Sequence, residues 1–318
     1  MSKIYKFEPH YFERVWGGRS LEELLNRQIP KNIMVGESWD LVDRVDCQSI
    51  CTYDGDGKLT LRKLLSTDHE NIMGPGWNEE WRFPVLVKWL DCTTRLSLQV
   101  HPPSGIAEKF SGEPKTENWY VAHATSDAGI FVGLKKGTSK ETFLNALKMG
   151  TLESLCHRIQ SRTGDSILVE SGRIHAIDGG NLILEIQQNS DTTFRVYDWD
   201  RQNKDGSVRK LHIEESLQCI DFHDFEPSVT TTDSSPCQVL ADCVHFRIRK
   251  FQGNEDQVFK LKQTNQQSLI LNPIDTEITI GNDSIFPGEL GLSPYQNECL
   301  VHFKKKGALI VTDNYFVP

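Results

Sequence analysis

Three polar side chains alternate with apolar ones in the run Leu96–Pro102. Ser97, Gln99 and His101 occupy every second position of this run. Because successive side chains of an extended strand point to opposite faces, these three share one face of a predicted strand. A buried face of this kind requires a metal ion or a polar ligand, because unpaired buried polar groups are costly. Taken alone, the stretch favours the alternative, a half-exposed strand whose polar residues face water.

A second histidine follows a predicted strand and a tight turn. Residues 164–175 read Gly-Asp-Ser-Ile-Leu-Val-Glu-Ser-Gly-Arg-Ile-His, so the strand leads through a glycine-containing turn to His175. This order resembles the second cupin motif, a strand-turn-strand unit that presents a metal-binding histidine to the mouth of a barrel. Glu170 stands where that motif usually has proline, and Gly179 where it usually has asparagine. The alternative for His175 alone is a hydrogen-bonded structural histidine.

Composition and charge narrow the classes of function. The chain has 318 residues, of which 38% are hydrophobic and 25% charged, so it can bury a core and is not disordered. Its net charge of −9 disfavours nucleic acid or an anionic membrane as the main partner. An anionic substrate would therefore need a local basic cluster. We expect no obligate protein partner.

Cysteine usage predicts a reducing compartment. None of the eight cysteines forms a Cys-x-x-Cys pair, and the close pairs Cys47/Cys51 and Cys237/Cys243 lack the companion spacing of a zinc knuckle. The first residues contain no apolar signal segment, and no run is long enough to span a membrane. We therefore expect a soluble cytoplasmic protein with free thiols.

The order of predicted elements indicates a mainly β fold with a few short helices. A helix is expected to begin near Thr60, and the most helical stretch, 138–158, begins with a capping box of Thr138 and Glu141. Alternation in the predicted strand 115–121 places Lys115 and Glu117 on one face. After residue 164 almost every element is a strand, and the polar stretch 225–236 has the composition of a linker.

These elements suggest two β-rich barrels in tandem. We expect a catalytic domain over residues 1–228, with a helical insertion, and a second β domain over residues 237–318. Residues 281–289 in the second domain resemble a cupin turn without its histidines. We therefore interpret the second domain as a degenerate barrel that packs against the first and has a structural or pocket-closing role.

The order of several motifs is more specific than any one of them. Ser-x-Gln-x-His-Pro at 97–102 is followed by Lys-x-Glu-x-Trp-Tyr at 115–120, His-Ala-Ile at 175–177 and Glu-Ile-Gln-Gln-Asn-Ser-Asp-Thr-Thr-Phe-Arg-Val-Tyr-Asp at 185–198. This series resembles type I phosphomannose isomerase (mannose-6-phosphate isomerase) in its short bacterial form, a family with the cupin fold. Val-Trp-Gly-Gly at 15–18 and Gly-Glu-Ser-Trp at 36–39 resemble its N-terminal motifs.

The resemblance implies a fold and a metal site. The fold would be mainly β, with tandem cupin-like jelly-roll barrels and a few short covering helices. Gln99, His101, Glu117 and His175 match the family's zinc ligands, which implies one Zn²⁺ per chain. Two imidazoles, a carboxylate and an amide oxygen suit zinc and would also accept iron, manganese or cobalt.

The resemblance also implies substrate-binding residues. Arg195 matches an active-site arginine of the family. A guanidinium can hold a phosphate or stabilise a developing oxyanion. Without the surrounding motif, the favoured interpretation of Arg195 is a salt bridge to Asp191 or Asp198. Lys115 could contact phosphate or an enediol oxygen, although a solvated loop lysine is the alternative. The remaining residues that match the pocket are Ser97, Glu185, Asp191, Trp16 and Glu37. Trp16 could instead be a packed turn aromatic.

The implied reaction interconverts mannose 6-phosphate and fructose 6-phosphate. The metal would polarise the carbonyl, and a base would move a proton between C2 and C1 through a cis-enediol. Glu185, Lys115 and a water molecule activated by the metal are all candidates for that base. Arg173 stands where the family usually has threonine beside His175, and a charged pair between Glu170 and Arg173 could compensate.

Two other functions fit parts of the sequence. A cupin oxygenase would hold iron with two histidines and one glutamate, but it has no evident use for Gln99 or for the run that ends at Arg195. A sugar-phosphate binder without turnover would keep the same residues. The sequence contains no Gly-rich phosphate-binding loop of the kind that would indicate a nucleotide or redox cofactor.

Overall fold

In the part of the chain that the structure describes, β-strands dominate the fold and form four sheets. The computed structural model describes residues 4–52, 57–202, 206–262, 267–296 and 298–315. The predicted mainly β architecture with a few short helices is confirmed. Among the described residues, no helix is long and apolar enough to cross a membrane.

Two antiparallel sheets enclose the first barrel. The first has six strands, which in spatial order are β11 (Ser166–Val169), β8 (Glu117–Ala124), β13 (Asn181–Gln188), β6 (Val85–Cys92), β3 (Val35–Leu41) and β2 (His10–Gly18). The second has five strands, β10 (Cys156–Gln160), β9 (Gly129–Leu134), β12 (His175–Ile177), β7 (Leu98–Val100) and β14 (Phe194–Tyr197). Apolar side chains from both sheets meet in one cluster, so the two sheets share an interior.

The other two sheets form the second barrel-like unit. The larger has eight strands in the order β15 (Cys237–Asp242), β16 (Arg247–Gly253), β23 (Gly307–Asp313), β18 (Leu269–Pro273), β21 (Gly291–Ser293), β1 (Tyr5–Glu8), β4 (Ile50–Thr52) and β5 (Lys58–Thr60). The smaller has four strands, β17 (Val258–Lys262), β22 (Glu298–Phe303), β19 (Ile278–Ile280) and β20 (Asp283–Ile285). Apolar residues between these sheets form a separate core.

Strands from the beginning of the chain complete the C-terminal sheet. Tyr5 of β1 pairs with Leu292 of β21, and Phe7 pairs with Cys51 of β4. The division into residues 1–228 and 237–318 stays a prediction, but the hydrogen-bonded sheets cross it. The reason is that β1 pairs with β21 across that boundary, and β4 and β5 extend the same sheet through β1.

The helices are short and lie outside the sheets. They are α1 (Ser20–Glu23), α2 (Leu61–Met73), α3 (Ser104–Ala107), α4 (Lys140–Lys148) and α5 (Ile213–Cys219), with 3₁₀ turns at Glu108–Phe110 and Leu152–Leu155. The Thr60 side chain caps α2 by accepting from the Lys63 amide at 3.1 Å.

The start of α4 differs by one residue from the expectation. Its capping box consists of Ser139 and Thr142, and the predicted box of Thr138 and Glu141 is wrong. Thr142 can satisfy the N-cap amide through its own hydroxyl, so no glutamate is required.

The largest apolar core lies between the two barrels. Tyr120 and Leu184 on the outer face of the six-stranded sheet pack in the same cluster as Ile248 and Ile310 of the eight-stranded sheet. Each fully buried Leu or Ile side chain contributes about 1.5–3 kcal/mol relative to exposure. Apolar burial therefore fixes the second barrel against the sheet that carries Glu117.

Candidate active site

Strand register places three predicted site residues in one row of the five-stranded sheet. His175 pairs with Gln99, and Gln99 pairs with Arg195 on its other side. The neighbours Leu98 and Val100 are buried in a core on the opposite face of this sheet. Because side chains alternate along a strand, Gln99 and its two partners face the barrel interior.

The six-stranded sheet supplies the facing row. Lys88, Glu185 and Trp119 are paired across three adjacent strands, β6, β13 and β8. Glu117 lies two residues before Trp119 on β8, so it shares the same face. The two rows meet at one end of the barrel.

His101, Glu117 and His175 converge there. Their potential ligand atoms all lie within 4.8 Å of one another, and all three side chains are buried. Nε2 of His101 is 3.2 Å from one carboxylate oxygen of Glu117, and Nε2 of His175 is 3.7 Å from the other. The structure therefore brings together three of the four residues expected to bind metal, and Gln99 adjoins them in the sheet.

Hydrogen bonds orient each of these side chains. Nδ1 of His101 donates to the carbonyl of Thr192 at 3.0 Å, and Nδ1 of His175 donates to the carbonyl of Arg173 at 2.9 Å. These acceptors assign the ring protons to Nδ1, which leaves each Nε2 lone pair directed toward Glu117.

The amide of Gln99 is oriented in the same manner. Its Nε2 donates to the hydroxyl of Ser97 at 3.0 Å, which leaves Oε1 as the group available for a ligand. Ser97 is buried and lines the cavity beside Gln99. In this structure Ser97 therefore acts on Gln99, in addition to any contact with substrate.

Electrostatics favour the protonation state that binds a cation. Burial and the nearby Lys115 ammonium lower the pKa of His101 to about 3, and burial also lowers the pKa of His175. Burial opposes ionisation of Glu117, but Lys115 and the two histidines hold its pKa well below the usual range. Two neutral imidazoles and one carboxylate are the forms that coordinate metal.

One carboxylate oxygen of Glu117 lies close to both Lys115 and His101. Oε2 is buried and lies 2.7 Å from the Lys115 ammonium and 3.2 Å from Nε2 of His101. Because the ring proton of His101 is on Nδ1, the lone pair of Nε2 faces this carboxylate oxygen, and a cation between the two groups would stabilise the arrangement. The donor set of Gln99, His101, Glu117 and His175 therefore fits a divalent metal ion.

Lys115 and Glu185 form an adjacent charged pair. Lys115 is buried, with its ammonium 3.8 Å from Glu185, so it is not the solvated loop lysine of the alternative interpretation. Burial opposes its charge, but Glu117 and Glu185 raise its pKa. Burial and the Glu117 charge raise the pKa of Glu185 to about 7, and Trp119 donates to its Oε2 at 3.0 Å.

The structure adds Lys88, which sequence reasoning missed. Its ammonium lies 3.9 Å from Glu37, 3.9 Å from Glu185 and 3.8 Å from Asp191, and 4.5 Å from the centre of the Trp39 ring. A lysine within the apolar strand Val85–Leu90 was a signal available in the sequence.

Arg195 lies beside the cluster and not in an ion pair with either expected partner. In the described part of the chain, Asp198 pairs with Arg209, and Asp191 pairs with Lys88. Arg195 donates through Nη1 to the carbonyl of Lys210 at 2.8 Å, and its buried Nε has no hydrogen bond. Burial and Arg209 lower its pKa.

A cavity completes the site, and Trp16 is not among the residues that line it. Trp16 is buried in the apolar cluster of the barrel interior, together with Leu90 and Trp119. A cavity of about 40 Å³ is lined by the four potential ligands, Ser97, Lys115, Trp119 and Glu185. This volume exceeds the roughly 10–15 Å³ that one water molecule requires. Leu90, Leu96 and Ile177 of the same apolar cluster also line the cavity.

Comparison with known proteins places this site in a family. The model of the type I phosphomannose isomerase catalytic domain matches residues 4–113. The chain is 34% identical to the mannose-6-phosphate isomerase ManA of Bacillus subtilis, across 95% of each chain. It is 33% identical to the probable mannose-6-phosphate isomerase GmuF of the same organism, across 92% of this chain and 96% of the relative. The chain belongs to the type I phosphomannose isomerase family.

Solved structures of phosphomannose isomerases have the same fold. The crystal structure of the mannose 6-phosphate isomerase from Bacillus subtilis superposes with a TM-score of 0.84 at 28% identity, covering 98% of this chain and 99% of that one. A zinc-bound mannose 6-phosphate isomerase superposes with a TM-score of 0.76 at 16% identity, with coverage of 98% and 99%. The resemblance predicted from motif order is thereby confirmed.

Proposed function

We propose that this chain interconverts mannose 6-phosphate and fructose 6-phosphate at one zinc ion held by Gln99, His101, Glu117 and His175. The observation that carries the proposal is the buried cluster of two imidazoles and one carboxylate, His101, His175 and Glu117, whose potential ligand atoms all lie within 4.8 Å of one another. Two relatives named as mannose-6-phosphate isomerases, and a solved isomerase described as zinc bound, support the choice of reaction and metal.

Zinc suits this donor set. Imidazole nitrogen and carboxylate oxygen are its usual ligands when thiolates are absent, and a catalytic zinc site keeps a position for substrate. When bound, zinc acts as a Lewis acid that polarises the carbonyl of the open-chain sugar. The remaining steps depend on the side chains around it.

Two buried lysines stabilise negative charge on the sugar. Lys88 in strand β6 and Lys115 in the loop before β8 approach Glu185 with nitrogen–oxygen distances of 3.9 and 3.8 Å. Neither distance is a hydrogen bond, so both ammonium groups can donate to substrate oxygens. We assign them to the oxygens of the cis-enediol, where negative charge develops during isomerisation.

Glu185 is the proposed base. Trp119 fixes its Oε2, and its Oε1 lies between the two lysines on the inner face of the barrel. A pKa of about 7 allows it to accept and return a proton at neutral pH. It would take the proton from C2 of mannose 6-phosphate and return it to C1, and the O2 hydroxyl proton would be transferred to O1 in the same interconversion.

Arg195 is assigned to the phosphate or to a substrate oxygen. Its Nε is buried without a partner, which favours an anionic group beside it. Asp191, half exposed and 3.8 Å from Lys88, lies at the edge of the same site and would contact sugar hydroxyls. Ser97 retains the predicted substrate contact.

A coupled assay tests this function. Purified protein is supplied with mannose 6-phosphate, and fructose 6-phosphate formation is measured before chelation, after chelation and after zinc is returned. Turnover that stops with chelator and returns with zinc supports the proposal. Oxygen consumption with loaded iron would favour the oxygenase instead, and sugar-phosphate binding without turnover in the zinc-loaded protein would contradict an isomerase.

A further inference from the structure

The turn that precedes His175 is held by a partly buried ion pair. Nε and Nη2 of Arg173 donate to the two carboxylate oxygens of Asp224 at 2.8 and 2.9 Å, and Nη1 donates to the carbonyl of Leu168. The side chains of Arg173 and Asp224 are only 13% and 16% exposed. A two-point bond of this kind fixes direction as well as distance.

The ion pair between Glu170 and Arg173, which was expected to compensate for the unusual residues in this turn, is a minor contact. Glu170 lies 3.4 Å from Arg173, and its side chain is 63% exposed. Exposed ion pairs contribute little because water screens them. Asp224, which is 51 residues away in the chain, is therefore the main partner of Arg173.

Arg173 is connected directly to the ring of His175. Its backbone carbonyl is the acceptor of the Nδ1–H bond that orients the imidazole. The adjacent Gly172 amide donates to the carbonyl of His101 at 2.9 Å, so the same turn also contacts the other histidine. A shift of this turn would move the acceptor of one imidazole and the backbone of the other.

Asp224 is itself held against strand β9. Its carbonyl accepts from the Leu134 amide at 2.9 Å, and the Gly133 amide donates to the carbonyl of Ile174 at 2.8 Å. A Cβ at Gly133 would lie 3.0 Å from the Asp224 carbonyl oxygen and 2.6 Å from Pro227, so only glycine permits this approach. The segment around Asp224 and the turn before His175 are thus hydrogen-bonded to adjacent residues of one strand, Leu134 and Gly133.

We propose that Arg173 and Asp224 position the metal ligand His175. The ion pair fixes the peptide whose carbonyl orients the imidazole, and it ties that peptide to the segment packed on β9. Both are positioning residues, because neither is among the residues that line the cavity at the four potential ligands. The inference rests on the proposed metal site, which its test examines separately.

The test measures zinc affinity, not turnover. The zinc dissociation constant of the full chain is determined by competition with a chromophoric chelator, for wild type, Asp224→Asn and Arg173→Met. Loss of groups that orient metal ligands typically weakens metal binding about 10–100-fold. We expect weakening in this range in both variants, measured well below their unfolding temperatures.

A distant ion pair provides the matched control. Arg247 donates to both carboxylate oxygens of Asp313, at 2.8 and 3.0 Å, in the eight-stranded sheet. Arg247→Met should lower thermal stability and leave zinc affinity within twofold of wild type. Glu170→Gln should also leave zinc affinity unchanged.

Gly133→Ala keeps both charged partners and displaces one of them. The added methyl group would push against the Asp224 backbone, so zinc affinity should fall although the ion pair's side chains are intact. Unchanged affinity in Asp224→Asn and Gly133→Ala would overturn the positioning role, as would an equal loss in Arg247→Met. If wild type itself bound no zinc, the proposed metal site would be refuted first.

Discussion

At the scale of single residues, buried charge decides what the site can do. Lys88, Lys115, Glu117 and Glu185 are all almost completely excluded from solvent in one small region. Isolated buried charges are expensive, so each persists because another compensates it. Lysine and carboxylate alternate in space in the order Lys88, Glu185, Lys115 and Glu117, and Glu117 is next to the two histidines.

Replacing Lys88 by methionine should lower kcat by about 10²–10⁴-fold with a smaller change in KM. The range is that of a positioned proton-transfer or charge-stabilising group, and the reason is loss of the ammonium among three carboxylates. Steady-state kinetics measure both constants. Lys58→Met, at a side chain 66% exposed, is the control and should behave as wild type. An unchanged kcat in Lys88→Met would exclude Lys88 from the reaction.

The pH profile should report Glu185. A base is active only when ionised, and the pKa of Glu185 is about 7. In wild type, kcat/KM should therefore rise with pH through about 7 and level off above it. Glu185→Gln should lose this limb and most of the activity. A wild-type profile that is flat between pH 6 and 8 would contradict the assignment.

The site residues divide into those that local pattern predicts and those that it does not. Alternation at 97–101 correctly predicts that Gln99 and His101 face the same interior, because the period of a strand is two. The alternation contains no information on which distant strand supplies Glu117. Glu117 was predicted as a ligand only because the order of motifs resembles that of a known family. Lys88 was missed because a single lysine in an apolar strand usually has its end in water.

At the scale of elements, two short strands and a turn hold three of the four potential metal ligands, Gln99, His101 and His175. Strands β7 and β12 have three residues each, so they have few hydrogen bonds of their own. Their positions depend on neighbours in the sheet and on the turn before His175. Short strands at a barrel mouth can therefore present side chains accurately only when loops around them are fixed.

Gly172→Ala should weaken that turn. Gly172 has φ of +92°, and an added Cβ would lie 3.1 Å from the carbonyl oxygen of Cys219. Strained backbone of this kind costs about 1–3 kcal/mol. We expect lower stability in chemical denaturation and weaker zinc binding by chelator competition.

A second glycine separates backbone strain from the effect on the site. Gly281 has φ of +59°, with no atom within 4 Å of an added Cβ. Gly281→Ala should lower stability and leave zinc affinity unchanged. Equal zinc affinities in the two alanine variants would show that the turn at Gly172 has no special role at the metal site.

Elements were predicted more accurately than their pairing. The helix after Thr60 and the strands around residue 100 followed from periodicity and capping residues. The capping box of α4 was misplaced by one residue because Thr138 and Ser139 are both good caps. No local pattern indicates that Tyr5 pairs with Leu292, because strand pairing depends on surfaces that form only when both barrels are present.

At the scale of the molecule, the two barrels share a core and a sheet. Strand β1 pairs with β21, and the largest apolar cluster lies between the barrels. The full chain should therefore unfold in one calorimetric transition. Residues 1–228 alone should give no cooperative transition, because they would expose that apolar face. Two separate transitions in the full chain, or a folded 1–228 fragment, would contradict this expectation.

Metal removal should destabilise the whole molecule. A ligand that binds only the folded state, present at a thousand times its Kd, stabilises by about 4 kcal/mol. Zinc at that excess should therefore raise the unfolding temperature measurably above that of chelated protein. Glu117→Gln, which removes the central carboxylate, should show little of this increase. Equal shifts in both proteins would place the zinc elsewhere.

The most direct test titrates zinc into metal-free protein while fructose 6-phosphate formation and bound zinc are measured together. Activity should be absent at the start, increase in proportion to bound zinc, and reach a plateau at one zinc per chain. Glu117→Gln should give no comparable increase. Full activity in metal-free wild type, or no isomerisation with one zinc bound, would contradict a zinc-dependent isomerase centred on His101, Glu117 and His175.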